Sequence, residues 1–209
     1  MHSTFEHRQA GGPAFIFVGE HPAVDFANTL SALNGEGTEH LRNWADVVDW
    51  LSLTGLSADP GLKLPGPRGV EALKGVLELR QAWEAELARL VSGQTVTDEF
   101  LGRLNCLLAN DPIQEKLLRE GKTGFRLVRS ISQLHGEELA LALLARQIAV
   151  FLAEANVIYL RRCANTTSCV LYFYDTTKNH RRQWCSAAAC GNRHRVSQFR
   201  KRQARTRVV

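Results

Sequence analysis

Four of the five cysteines fall within 28 residues near the C-terminus, spaced Cys163-x5-Cys169-x15-Cys185-x4-Cys190, and no other feature limits the fold so strongly. Two short-range pairs of thiols separated by a hairpin's length of chain match what zinc requires: four ligands in a tetrahedron, about 2.3 Å from thiolate sulfur. In a reducing compartment such a cluster favours metal over disulfides. One structural Zn2+ ion held by Cys163, Cys169, Cys185 and Cys190 is therefore expected. Four thiolates leave no position open to water, so the ion braces the chain and catalyses nothing. The fifth thiol, Cys106, stands alone in an apolar helical pattern and reads as a small buried hydrophobe.

The segment between the pairs reads as a β-hairpin. "VLYFY" (170–174) is β-branched and aromatic, "DTTKNH" (175–180) is turn chemistry, and "RRQWC" (181–185) returns the chain, with Cys169 and Cys185 at the two roots. Cys190 then opens a C-terminal helix, "GNRHRVSQFRKRQ", whose first-turn amides can donate to sulfur. Val196 and Phe199 are expected to pack that helix onto Tyr172 or Trp184. So small a module cannot fold on apolar burial alone, and metal binding, about 10–16 kcal/mol in small zinc domains, is expected to supply its folding energy.

Charge divides the chain at the same place. Residues 161–209 carry 12 Lys and Arg against one acid, Asp175, whereas residues 1–160 carry 14 against 20. A basic end on a mildly acidic body suggests polyanion binding at that end. A four-thiolate zinc carries a formal charge of −2, which Arg193 or Arg182 can neutralise from nearby. Arg195, Arg200, Lys201, Arg202, Arg205 and Arg207 exceed that need. The expected nucleic-acid-binding set is Arg181, Arg182, Arg193, Arg195, Arg200, Lys201, Arg202 and Arg205.

The remaining chain reads as an α+β fold, mostly helical with short strands. "FIFVG" (15–19) is a strand, and "HPAVDFANTLSAL" continues as one helix with Val24, Ala27, Leu30 and Leu33 in three-residue steps. Asn43 caps a helix with Asp46 three residues on, and Trp44, Val47, Val48 and Leu51 form its apolar face before Gly55. Residues 57–69, rich in proline and glycine, form a loop. Helices are expected over 70–91, with Trp83 near the apolar face, and after Thr97, with Asp98 and Glu99 in the first turn. Two strands flank the Gly121–Gly124 turn, with Phe125, Leu127 and Val128 half-buried. The helix through Leu141, Leu144, Ile148, Phe151 and Ala155 is apolar enough to be the central one. The division into domains is expected near 156–163, giving a 1–157 helical domain and a 158–209 finger.

"LRRCANTTSC" followed by "YFYDTTKNHRRQWCSAAACGNRHRVSQFRKR" resembles the CGNR zinc finger, the tetrapeptide being Cys190-Gly191-Asn192-Arg193. "FVGEHPAVDFANTL" with "WADVVDWLSLTGL" resembles the ABATE domain that precedes this finger in bacterial stress-induced transcription regulators, mainly through Asp25, Phe26, Asn28 and Thr29. Together the two cover nearly the whole chain. The resemblance implies a stress-response transcription regulator with nucleic acid, DNA favoured, as partner, and leaves a homodimer and a small-molecule effector open. One departure stands out: the family pattern has four residues between the first two cysteines, and "CANTTSC" has five.

Other chemistry is not supported. The deaminase signature, a Walker loop, H-E-x-x-H and G-x-S-x-G are all absent. His21, His135 and His194 read as surface or helix-end residues. Asp25 and Asn28, a turn apart on one helix face, either bind a polar ligand or brace the strand before them. The expectation is a non-enzymatic, cytoplasmic protein with no membrane partner, its N-terminal domain sensory or oligomerising. Two alternatives stay open: an RNA-binding zinc protein, and a small-molecule-binding protein with a basic tail.

Overall fold

The computed structural model describes residues 5–8, 14–33, 36–62, 64, 66–109, 113–120, 124–131 and 134–206, with the side chains of 5–8, 14, 33, 36, 113–118, 120, 124–131 and 204–206 outside that description. The chain divides into two compact units: Met1–Arg42, Leu87–Thr95 and Asn156–Val209 form one, and Asn43–Glu86 with Val96–Ala155 form the other. Among the described residues no helix is long and apolar enough to cross a membrane.

The second unit is helical. Its first helix, α2 (Trp44–Leu53), starts at a capping box, in which Asn43 accepts from the Asp46 amide and Asp46 accepts in return from the Asn43 amide. Trp44, Val47, Trp50 and Leu51 form the buried face. A 3-10 turn at Pro60–Leu62 leads towards α3 (Pro67–Val91), and the Leu62 carbonyl accepts from the Trp44 indole. Thr97 caps α4 (Asp98–Leu108) through the Phe100 amide, while its own amide and hydroxyl donate to Glu86 at 3.0 and 2.6 Å. Strands β5 (Ile113–Glu120) and β6 (Gly124–Ile131) pair antiparallel, as expected. Phe125, Leu127 and Val128, expected to be half-buried there, have side chains outside the described residues.

Helix α5 (Gly136–Glu154) buries Leu144, Ile148 and Phe151 of the expected face and Leu139 besides, while Leu141 is half-buried and Ala155 lies past the helix end. Trp83 is completely buried, stacked on Phe100 at a centroid distance of 5.8 Å and meeting Phe151 edge-on at 6.1 Å. Cys106 departs from expectation: it is exposed on α4. Phe100 and Leu104 supply the buried residues of that helix, and Cys106, two positions past Leu104, points away from their face.

The first unit opens with β1 (Phe5–Arg8) and β2 (Ala14–Phe17), an antiparallel pair, followed by α1 (Pro22–Ala27). His21 is the N-cap of α1 and accepts from the Ala23 amide. The expected single helix through Leu33 is corrected here: α1 ends at Ala27, and Leu30–Leu33 is strand β3, paired with β4 (Glu36–Glu39). The Thr29 hydroxyl donates to the Phe26 carbonyl at 2.7 Å and occupies an acceptor at the helix end. The three-residue step from Leu30 to Leu33 fits one helix face and not one strand face, whereas Asn-Gly is a hairpin signal as well as a helix stop. Asn34 and Gly35 themselves lie outside the described residues. The remainder of this unit carries the cysteines.

Candidate metal centre

The chain enters the cysteine region through β7 (Leu160–Arg162), which pairs antiparallel with β8 (Tyr172–Tyr174) in the register Leu160↔Tyr174, Arg161↔Phe173, Arg162↔Tyr172. The hairpin is therefore built one connection earlier than the sequence suggests. "YFY" pairs backwards onto residues 160–162, and residues 181–185 return without strand structure. The sequence misleads because β7 is only three residues long and polar at two of them, so it has no alternation to detect.

Cys163 and Cys169 occupy the loop of this hairpin. The Cys163 amide donates to the Leu171 carbonyl at 2.9 Å, and the Ser168 amide donates to the Asn165 carbonyl at 3.1 Å. The extra residue of "CANTTSC" is thus absorbed in a closed turn, with both sulfurs directed inward. Beyond the return segment, Ser186 accepts from the Ala189 amide and a single π-turn spans Ala187–Gly191, closed by the Gly191 amide on the Ser186 carbonyl at 3.0 Å. The wider π-turn brings Cys190 around to face Cys185. Helix α6 (Asn192–Thr206) continues from it.

All four thiols are buried and free of disulfides, and their sulfurs lie within 4.8 Å of one another. Cys169 and Cys185 are 3.7 Å apart, and Cys185 and Cys190 are 3.6 Å apart. A tetrahedron with bonds of about 2.3 Å has edges of about 3.8 Å, so these spacings fit one four-coordinate zinc ion. Loop amides are directed at sulfur: Asn165 and Cys185 donate to Cys163, and Leu171 to Cys169.

The electrostatics of the bare thiols favour a cation. Hydrogen bonds from Cys169, then Cys185, hold Cys163 down to about 2. Hydrogen bonding to Cys163 pushes Cys169 up to about 12, and hydrogen bonding to Cys163 and Cys169, with burial, pushes Cys185 higher still. Four thiolates can coexist here only when a metal ion balances them. Around the sulfurs, Val18, Leu171 and Phe173 are buried, with Ile16 and Trp184 packed against them.

Val18 and Ile16 come from the other end of the chain, and they are not alone. Asn28 makes two hydrogen bonds to Tyr172, its amide nitrogen donating to the carbonyl and its oxygen accepting from the N–H, each at 2.9 Å. An asparagine side chain has the same donor and acceptor pair as a peptide, so here it extends β8 as a neighbouring strand would. Asp25 accepts from the Val18 and Gly19 amides at 3.0 and 2.7 Å, and the Tyr174 amide donates to the Gly19 carbonyl at 3.0 Å. Gly19 is required by close approach, since a Cβ there would lie 2.8 Å from the Asp25 backbone nitrogen and carboxylate. Burial, opposed by those two amides, pushes the Asp25 carboxyl up to about 7. Both side chains are engaged with backbone groups.

Arg182 completes the junction. Its guanidinium pairs with Glu20 at 2.9 Å, donates to the carbonyls of Trp184, Val18 and Cys185, and lies 4.4 Å over the Phe173 ring. Asp175 is buried and accepts from Thr177 and from the Arg182 amide at 2.8 Å. The sequence places Arg182 among the expected nucleic-acid contacts; in the structure its guanidinium is held by Glu20, three carbonyls and the Phe173 ring. Glu20 and Val18 were not singled out, and only their position beside Asp25 pointed to them.

The other cations divide by exposure. Arg193 is half-buried, with Nη1 enclosed and without a hydrogen-bond partner. Arg181, Arg195, Arg200, Lys201 and Arg202 are exposed. Arg205 lies on α6 with its side chain outside the described residues, and Arg207 lies outside them altogether. Val196 and Phe199, expected to pack the helix, are 39% and 60% exposed, a correction; Trp184 instead meets His194 at 5.5 Å.

Four buried thiols at tetrahedral spacing, held by a hairpin loop and a helix start, define a structural zinc-finger protein. The CGNR zinc finger model matches residues 159–203, and the ABATE model, described as "Putative stress-induced transcription regulator", matches residues 20–155. The chain belongs to the ABATE family and carries a CGNR zinc finger at its C-terminal end. None of the curated proteins matches it.

Proposed function

We propose that this regulator-family protein binds duplex DNA through its finger and acts in the cytoplasm as a non-enzymatic transcription regulator. One observation carries the reading: Arg195, Arg200, Lys201 and Arg202 are exposed on a helix whose first turn follows directly from a metal ligand. A four-thiolate zinc needs two positive charges nearby, and these cations exceed that need. A metal-fixed start gives the helix a direction, so its charges arrive at phosphate together. The helical unit takes the sensing or oligomerising role in this reading.

The test is the salt dependence of duplex binding by the zinc-loaded chain. Each cation that displaces a counterion contributes a slope of about −0.9 in log K against log salt. Replacing Arg195, Arg200 and Lys201 by alanine is expected to weaken binding and flatten that slope by roughly 0.9 per residue removed. Retention of folded RNA in preference to duplex at matched salt assigns the finger to RNA. Salt-independent binding, or none, overturns the reading.

A further inference from the structure

A second basic surface lies away from α6, on the finger's hairpin. The β7 strand and the return segment run side by side, joined by the Ala164 amide donating to the Gln183 carbonyl at 2.8 Å. Beside them opens a cleft of about 510 Å3 lined by Arg161, Arg162, Ala164, His180, Arg181, Arg182 and Gln183, with no carboxylate among the lining residues. Its size falls within the range of small-ligand clefts, about 300–1,000 Å3. We propose that this cleft seats a backbone phosphate of bound duplex DNA and is the contact that sets the position of the finger on the duplex. The inference rests on the DNA-binding reading and names a part of the surface that the α6 argument leaves out.

The roles within the cleft follow from which donors are already used. Arg182 is occupied by Glu20, by three carbonyls and by the Phe173 ring, so it contributes a fixed positive charge. Arg161 donates through Nη1 to the Ile158 and Leu160 carbonyls, which holds its guanidinium in place with other donors unspent. Arg162 and Arg181 are exposed on the two opposing walls and have no partner among the described residues. Two free guanidiniums facing one cavity, backed by two held ones, suit a tetrahedral oxyanion whose oxygens each take a forked donor.

His180 supports the same assignment. It closes the Thr177–His180 turn with φ of +46°, a conformation that a non-glycine residue keeps only where its surroundings hold it. Its ring lies flat on Tyr159, with centroids 3.6 Å apart and planes 9° apart, and Nδ1 donates to the Asp175 carbonyl at 2.8 Å. The second ring nitrogen remains for a ligand. The walls of the cleft are the arms that carry Cys163 and Cys185, one residue beyond Arg162 and two beyond Gln183, so the site that gathers the sulfurs also fixes the spacing of the arginines. A single exposed helix attracts phosphate from many directions, whereas converging donors in a cleft place it.

The experiment uses the full-length zinc-loaded protein and the double variant Arg162→Ala/Arg181→Ala, with Arg200→Ala/Lys201→Ala as comparison. Duplex DNA binding is followed by fluorescence anisotropy across a salt series, and zinc content is measured for each protein. The expected result is full zinc content in both variants, affinity at least about tenfold weaker for the cleft variant, and a salt slope reduced by roughly 2. Wild-type affinity and slope in the cleft variant, with weakening confined to the α6 variant, overturn the cleft assignment and leave the DNA reading standing. Binding of folded RNA without duplex, or of no nucleic acid, overturns both. A separate titration with inorganic phosphate, read from the His180 ring resonances, is expected to shift them saturably in wild type and not in the cleft variant. The absence of any shift overturns the site even where DNA binds.

Discussion

The two compact units of this chain are held together by different physics. In the helical unit, Trp83, Phe100 and Phe151 form an aromatic cluster beside the buried face of α5, and apolar burial is sufficient. In the other unit the largest buried group beside the sulfurs is Phe173, and the centre of the cluster is four thiols that repel once ionised. Metal binding is expected to supply much of the stability around the sulfurs. The lesson of the contrast is where each unit fails: one by losing a ring, the other by losing a metal.

The largest expected effect comes from Cys185→Ser, which removes the thiol nearest to two others. Zinc content is expected to fall from one per chain to a small fraction. Removal of about 10–16 kcal/mol of metal-binding free energy should unfold the unit that contains it. Full zinc retention with native circular dichroism contradicts this. The mirror experiment is Trp83→Ala, expected to cost about 3–5 kcal/mol in chemical denaturation while zinc content stays at wild-type level. Loss of zinc from Trp83→Ala would show that the two units are not separable in this way.

Next in size is Asn28→Ala. It leaves the Tyr172 amide and carbonyl without their partners, and each buried unsatisfied group costs about 1–3 kcal/mol. A loss of about 2–4 kcal/mol is expected, together with faster release of zinc to a chelator. Asn28→Asp, which keeps the acceptor but sets a buried carboxylate oxygen against the Tyr172 carbonyl, should cost at least as much. If Asn28→Ala is neutral in both measurements, the side chain is not a brace.

A further effect is graded with pH. The Asp25 carboxyl titrates at about 7 in the fold, above its unfolded value, so its contribution is fully present in acid and is lost as pH rises towards 7. Asp25→Asn keeps the neutral acceptor. Its stability relative to wild type should therefore grow with pH between about 4 and 7, by at most about 1.4 kcal/mol per pH unit, and level off above. A stability difference that is flat across that range contradicts the burial argument.

What could be read from the sequence follows the range of the forces involved. The metal ligands were legible because zinc demands a fixed number and type of donors, and spacing alone reveals them. The capping box at Asn43 and the apolar face of α5 were legible because helix periodicity is local. The pairing of β7 with β8 was not, since a three-residue strand carries no pattern. The role of Asn28 was only half legible. A polar residue on a buried helix signals a partner, but that partner is the backbone of a residue 144 positions away. Arg182 looked like its neighbour Arg181, and only the positions of Glu20 and Phe173 separate a held guanidinium from an exposed one. Cys106 shows the converse limit, a residue whose usual burial is overridden by which face of α4 it occupies.

The central claim is that the ion holds both ends of the chain, the finger and the segment from Ile16 to Asn28, as one cooperative body. Amide hydrogen exchange of the zinc-loaded and chelated protein tests it directly. The expected result is that Val18, Gly19 and Tyr172 lose protection together on chelation, while Leu144 and Ile148 in α5 keep theirs. Retained protection at Val18 and Gly19 after complete zinc removal would contradict the claim.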